Sequence, residues 1–303
     1  MNEQTPRRAQ SIGEMAQLHG RTFLPEEIAA SIGAYRPRPT DIVISPYSKC
    51  GTTWLQQTFH CLRTRGDMDF DDISRVVPWI ETATACGLDL DAPQRGAPRG
   101  FKSHLSYDRM PTGARYVVAF RDPKDAMVSL FRFMEGWFIE PDAVPIGEFA
   151  RARLASRGQG ANYWDHLVSW WAQRDNPDVL LLSYEDMTAH PAENVRRLAA
   201  FGSIALDDEL LALTLERSSL AFMLEHKDRF DDLMMRQVSE RRSNLPPGSD
   251  SAKVRQGGVG GHRQAMPPEL EAQMDAVWAE MVTPKLGFAD YAAFEAALRA
   301  ART

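Results

Sequence analysis

A lysine, a glycine and two threonines fall within five residues, Lys49-Cys50-Gly51-Thr52-Thr53, just after the apolar run Ile42-Val43-Ile44. A strand that feeds a tight loop and then a helix aims free backbone N–H groups and the positive helix end at one point, which is a way to hold phosphate. Gly51 lets the backbone approach a ligand, Thr52 and Thr53 add hydroxyl donors, and Lys49 adds a positive charge. The residue order is not that of the nucleoside-triphosphatase loop, because Lys49 precedes Gly51 and no glycine stands five residues before the lysine, so Mg²⁺ and ATP hydrolysis are not implied. A second group lies in RYVVAFRDPKDAMVSLFRF, residues 115–133. Arg121 ends an apolar run, where open α/β sheets bind ligands, and a guanidinium there can grip a phosphate with two parallel N–H bonds. Ser129, two turns into the following helix, can add another bond. The plainer reading stays open: the loop is a connector, Arg121 pairs with Asp125, and Ser129 faces a neighbour.

The elements that must position these groups read as an α/β pattern, with short apolar runs alternating with amphipathic stretches. The spacing predicts strands at 41–45, 115–120 and 179–183, with a weaker one near 99–102; their continuous apolar character suits strands buried on both faces. Helices are expected at 52–64, 123–137, 161–174, 191–201 and 268–282. Asp122 is placed to cap the second of these, with Pro123 as its first residue, and Gly202 to provide a left-handed stop after AAF. Two segments rich in glycine and proline, 86–99 and 243–261, read as loops, the second as a mobile lid.

Composition narrows the partner. The 303 residues carry a net charge of −6, so no general basic field exists to hold nucleic acid, and an anion site must be a local pocket for a small molecule. The N-terminal residues lack the apolar core of a signal peptide and no stretch could span a bilayer, so the expected location is cytoplasmic, without a membrane partner. Cys50, Cys61 and Cys86 are odd in number and lack ligand spacing, which points to thiols rather than disulfides or zinc. His166, Trp170 and Trp171 are spaced as a packed helix face. Glu185 and Asp186, adjacent at a strand exit, would point to opposite sides. The mixed charges of EHKDRFDDLMMRQVSERR read as a solvated helix face, whose apolar stripe Phe230, Leu233, Met234 and Met235 either packs or lines an acceptor channel.

PYSKCGTTW at 46–54 resembles the TYPKSGTTW signature of the cytosolic-type sulfotransferase family, and RDPKDAMVSLFRF is similar to its RNPKDxxVSxYHF. FKSHL at 101–105 resembles KxHLP, LLSYEDM at 181–187 the strand ending in YEDM, SSLAFM at 218–223 TSFxxM, and VRQGGVGGHR at 254–263 a degraded RKGxxGDWK. The resemblance implies a three-layer P-loop-like α/β fold, a central parallel sheet flanked by helices, over a single domain spanning 1–303, with an N-terminal segment at 1–38 and a flexible lid or substrate loop at 225–261. It also implies a metal-free transfer of a sulfuryl group from 3′-phosphoadenosine 5′-phosphosulfate to a hydroxyl or amine of a small acceptor. Lys49, Cys50, Gly51, Thr52 and Thr53 would then cradle the 5′-phosphosulfate and Trp54 would stack on adenine. Arg121 and Ser129 would hold the 3′-phosphate, Tyr184 and Ser218 would complete the pocket, and Arg255, Gln256 and Gly257 would close over it. His104 matches the general base, a role imidazole suits at neutral pH, while Lys49 and Lys102 would stabilise charge on the departing oxygen.

Departures from the family pattern fall at named positions. Cys50 stands for serine, Gln256 for lysine, and Gly261-His262-Arg263 for Asp-Trp-Lys. The family's dimer motif KxxxTVxxxE is not visible in RQAMPPELEAQM, which leaves a homodimer open. Acceptor walls are expected at 75–99, 138–160 and 225–250. An ATP-dependent small-molecule kinase and a nucleotide-binding relative without turnover remain as alternatives.

Overall fold

The computed structural model describes residues 5–159, 162–251 and 253–301. Residues 1–4 of the N-terminal segment, 160 of one expected acceptor wall, 161 at the expected start of a helix, 252 of the lid segment and 302–303 lie outside the described residues.

Helices α1 (Ile12–Thr22) and α2 (Pro25–Ala34) precede β1 (Ile42–Ile44), and α3 (Thr52–Thr64) and α4 (Ile73–Val76) lead to β2 (Gly100–Lys102). After β3 (Arg115–Phe120) come α5 (Pro123–Trp137), α6 (Ile146–Ala155) and α7 (Tyr163–Trp171), then β4 (Val179–Ser183). The chain continues through α8 (Tyr184–Ala189), α9 (Pro191–Phe201), α10 (Asp208–Arg217), α11 (Leu220–Glu225) and α12 (Leu233–Ser243). It finishes with α13 (His262–Ala265), α14 (Pro268–Met281), α15 (Thr283–Leu286) and α16 (Tyr291–Ala300).

The four strands are parallel, in the order β2-β1-β3-β4. Alternate side chains enter two different cores, as the pleat requires. Val43, Tyr116, Val118, Phe120 and Leu181 pack with Trp164, Leu167 and Trp170 of α7, Val277 and Trp278 of α14 and Phe294 of α16. Ile42, Ile44, Val117, Ala119 and Leu182 pack with Leu55 and Phe59 of α3, Leu198 of α9 and Leu210 of α10. The result is helix, sheet and helix in three layers. A further core joins the ends of α5 and α6 to α1 and α12 through Phe133, Trp137, Phe149, Met235 and Val238.

The strand order reverses between β1 and β3, since the chain leaves β1 for β2 on one side and returns to β3 on the other. A crevice opens outside the carboxyl ends of the strands at such a point. Both candidate anion groups sit there, the loop after β1 and Arg121 after β3.

The expected elements lie close to the observed ones, and the differences have local causes. The helix expected at 161–174 is observed as Tyr163–Trp171, capped by the Asn162 side chain on Asp165 N–H. Gly202 is right-handed (φ −75°); Ser203 (φ 55°) takes the left-handed turn one residue later. Glu185 and Asp186 lie in the first turn of α8 rather than on a strand exit. They still diverge: Glu185 accepts from Asp122 N–H and Tyr291 O–H, and Asp186 accepts from Asn194. The stretch read as one solvated helix is a short 3-10 turn (Lys227–Phe230) and α12, broken at Asp231 and Asp232. Both carboxylates are buried, and Phe230 joins the core against α3. His166 and Trp170 are buried residues whose Nε2–H and Nε1–H donate to Ser45 O and Leu105 O.

Gly100 pairs with Ile42 where a side chain would meet the Phe59 ring of α3. Gly100→Ala is expected to lower stability by about 1–3 kcal/mol through overpacking. The urea midpoint measures this, and an unchanged midpoint would mean that α3 does not press on β2 as described.

Candidate active site

The loop after β1 turns twice through left-handed backbone, at Lys49 (φ 68°) and at Gly51 (φ 91°), and α3 begins at Thr52. A non-glycine residue in that region costs about 1–2 kcal/mol, and such strain gathers at functional sites. Thr52 Oγ1 and Arg121 Nε are buried without a hydrogen-bond partner. Leaving a buried polar atom unpaired costs about 1–3 kcal/mol, so both atoms suit a ligand that supplies the missing partner. Cys50 does not face the same way. Its side chain is fully buried in the core beside α7, burial pushes its thiol up to about 12, and its N–H is spent on Tyr47 O.

Arg121 is fixed from three directions. Its Nη1 donates to Lys49 O at 3.1 Å, its Nη2 to Gly258 O at 3.2 Å, and its guanidinium lies 4.3 Å above the Tyr184 ring. Tyr163 O–H donates to Arg121 O at 2.6 Å. Trp54 meets Tyr184 edge to face, with centroids 5.7 Å apart, so the two aromatics form one wall beside the guanidinium. The Arg121–Asp125 ion pair of the plainer reading does not form, although the guanidinium is near enough to lower the Asp125 carboxyl. Asp125 accepts instead from Gly260 N–H (2.6 Å), His262 N–H (2.9 Å) and His262 Nδ1 (2.9 Å). Burial works to raise this carboxyl, and those three bonds outweigh it and hold it below the usual range.

Ser129 is half-buried on α5. Arg255, Gln256 and Gly257 are exposed on the segment that crosses above, with Arg255 Nη1 donating to Gln256 Oε1 at 2.9 Å. Partial burial and then the charges of Arg132 and Arg121 lower the Arg255 pKa, so three guanidiniums converge there. Ser218 is buried at the end of α10 and its hydroxyl donates to Thr214 O, leaving its lone pairs for other donors.

On the β2 side, His104 Nδ1 lies 2.8 Å from Pro46 O. A carbonyl only accepts, so Nδ1 carries the proton and Nε2 holds the basic lone pair. Burial, followed by the nearby Lys102 charge, pushes the imidazole down to about 3 and keeps it neutral. His104 N–H is held by Glu81 Oε1 at 2.7 Å, and Trp79 packs edge-on against the ring. Lys102 Nζ sits 3.9 Å above the Trp79 ring and 3.4 Å from Asp232 Oδ1. Lys49 Nζ sits 4.3 Å above Phe133. Burial lowers Lys49 to about 7 and Lys102 to about 8. Such amines favour any arriving anion that restores their charge.

Asp232, Lys253, Trp79 and Glu81 are the site members that sequence reasoning passed over. Nothing in the charge pattern separated Asp232 from its solvated neighbours; Lys253 had only its place two residues before Arg255 as a signal. Met234 and Met235 line a narrow cleft with Asp72, Trp79, Cys86, Leu88 and Asp232, while Phe230 belongs to the core. Cys50, Cys61 and Cys86 are free thiols.

A crevice at a parallel sheet's reversal point, with cations at the ends of two adjacent strands, defines a protein that binds a small anionic molecule. The family is then settled by comparison: residues 39–285 match the family model described as a sulfotransferase domain, and the chain belongs to that family. It is similar to sulfotransferase 1 family member D1 of Mus musculus, with 27% identity over 219 residues that cover 69% of this chain and 74% of the relative. Sulfotransferase 1C2 of Homo sapiens is 24% identical over 226 residues, covering 70% and 76%. Among solved structures the fold matches retinol dehydratase in complex with androsterone and inactive cofactor PAP (TM-score 0.66, 18% identity, 92% and 95% covered). It also matches mouse sulfotransferase SULT7A1 complexed with PAP (TM-score 0.63, 22% identity, 88% and 91% covered).

Asp125→Ala is expected to release the far end of the 244–261 segment, lowering stability by about 2 kcal/mol for the lost bonds. Limited proteolysis within that segment should accelerate. Cleavage at the rate of the unaltered protein would count against Asp125 as its anchor.

Proposed function

We propose that this sulfotransferase-family chain moves a sulfuryl group from 3′-phosphoadenosine 5′-phosphosulfate to the hydroxyl, or amine, of a small acceptor, with His104 as general base. The observation that carries the reading is the direct bond between the two anion-receptive groups. Arg121 donates to the main-chain carbonyl of Lys49, so the arginine that follows β3 and the lysine loop that follows β1 meet at one crevice. A nucleotide with phosphate at both its 3′ and 5′ positions answers that spacing, and the complexes of the two structural neighbours with PAP support it.

The donor supplies an activated sulfur whose leaving group is a phosphate. For this chain, Lys49, Thr52, Thr53 and the Gly51 turn would hold the 5′ end, and Trp54 and Tyr184 would flank the base. Arg121, Ser129 and Arg255 would hold the 3′-phosphate, with Arg132 beside them, while Gln256 and Gly257 would close the segment and Ser218 would offer lone pairs. Cys50 would contribute through loop shape alone. His104 would take the acceptor's proton at Nε2, its ring fixed by Pro46 O, and Lys102 would face the negative charge that develops next to it. The narrow cleft lined by Trp79, Leu88, Met234 and Met235 joins the 75–99 and 225–250 stretches, which would serve as acceptor walls. The lid role of the 243–261 segment and the cytoplasmic setting belong to the same proposal. Androsterone and retinol are ligands of retinol dehydratase in its own complexes.

Calorimetry compares adenosine 3′,5′-bisphosphate with ADP. The bisphosphate should bind at least about tenfold tighter, one bidentate charge-assisted contact's worth, and Arg121→Lys should erase that preference. Equal affinities would favour the kinase reading. His104→Ala should retain bisphosphate binding and lose about 10²–10⁴ in sulfate transfer across a panel of phenols and sterols. Undiminished turnover would remove His104 from its role. The same assays give a pH profile: kcat/KM for the donor should fall as pH rises past about 7–8, where the buried Lys49 and Lys102 lose their protons, and stay level down to pH 5, since His104 remains neutral there.

A further inference from the structure

The segment that carries Arg255 also sends a cation inward. Lys253 Nζ lies 2.5 Å from Asp232 Oδ1, the oxygen that is also 3.4 Å from Lys102 Nζ, and all three side chains are less than a tenth exposed. Lys49 belongs to the same group, close enough for Lys253, Lys102 and Asp232 each to act on its charge. Asp72, from the start of α4, also faces them; it acts on the Lys102 charge and accepts from Met234 N–H. Burial and the repulsion of Asp232 push Asp72 toward its neutral form. Two buried amines, Lys102 and Lys253, with the half-buried Lys49 beside them, therefore share one firmly ionised carboxylate, and a buried charge is stable only when paired. Asp232 takes up this position in left-handed backbone (φ 49°), at the break before α12.

We propose that Lys253 is a third cation for the sulfonate of the donor, alongside Lys49 and Lys102, and that Asp232 stands in that sulfonate's place until the donor arrives. Both are compact oxyanions, so a sulfonate can take over the ammonium groups that the carboxylate holds, and the segment carrying Arg255 is then drawn to the same ligand at two points. The inference rests on the donor proposed above.

Calorimetry on the full chain separates the two claims, using the phosphosulfate and adenosine 3′,5′-bisphosphate, which lacks the sulfonate. Lys253→Met should weaken the phosphosulfate by about tenfold and the bisphosphate by less than about twofold, and Lys253→Arg should restore most of the loss. Asp232→Asn should have the opposite sign: a lower melting temperature without ligand, and a larger rise on adding the phosphosulfate than the unaltered protein shows. Equal losses for both ligands in Lys253→Met would reduce Lys253 to a support of the segment and overturn the inference. Weaker phosphosulfate binding in Asp232→Asn would make the carboxylate a required partner instead of a stand-in, with the same result. If Lys253→Met fails to fold, the arginine and Asp232→Asn variants decide. Binding of neither nucleotide by the unaltered protein overturns the donor reading and this inference with it; binding of both, with Lys253→Met unaffected, overturns this inference alone.

Discussion

Amines held out of water at the carboxyl end of a parallel sheet are the constraint on which the rest of this structure turns. Lys102 is 1% exposed and leans on an indole, and Lys49 leans on Phe133. Rings give a cation only part of what water gives it. The protein supplies the remainder from a distance in sequence, with Asp232 130 positions beyond Lys102. Much of the architecture around the crevice, from Trp79 and Glu81 to the break before α12, serves to hold these charges in one place.

The sheet order explains why those residues can come together. Because β1 and β3 are neighbours, the loop that follows one and the arginine that follows the other share a crevice with no domain movement. Tyr163 then ties α7 to the Arg121 carbonyl, and Tyr184, the first residue of α8, supports the guanidinium.

Much of this was legible in the residues. Strands at 115–120 and 179–183 and helices at 52–64, 123–137 and 191–201 follow from uninterrupted apolar runs, an Asp-Pro start and amphipathic spacing, all local signals. Lys49, Thr52 and Arg121 stand out in the sequence because each follows a strand that its apolar run marks, the first two across a short loop. Asp232 does not, since a buried carboxylate and a solvated one have the same letter, and only a lysine brought from another strand separates them. The left-handed stop moved from Gly202 to Ser203 for a similar reason: Ile204 packs back toward α9, and the chain turns where that packing directs. The partner of Asp125 was hidden because His262 reaches it from 137 residues away.

The bonds from Asp125 to Gly260 and His262 bear on how a molecule could come and go. Closer to α12, Ser251 N–H is tied to Asp231 and Lys227 to Asp250. The crossing segment is thus a strap buckled at both ends, exposed at its crest from Arg255 to Val259. Passage to the loop at Lys49 would then depend on the crest bending over a few residues, and exchange would keep the pace of a short loop rather than that of a swinging domain.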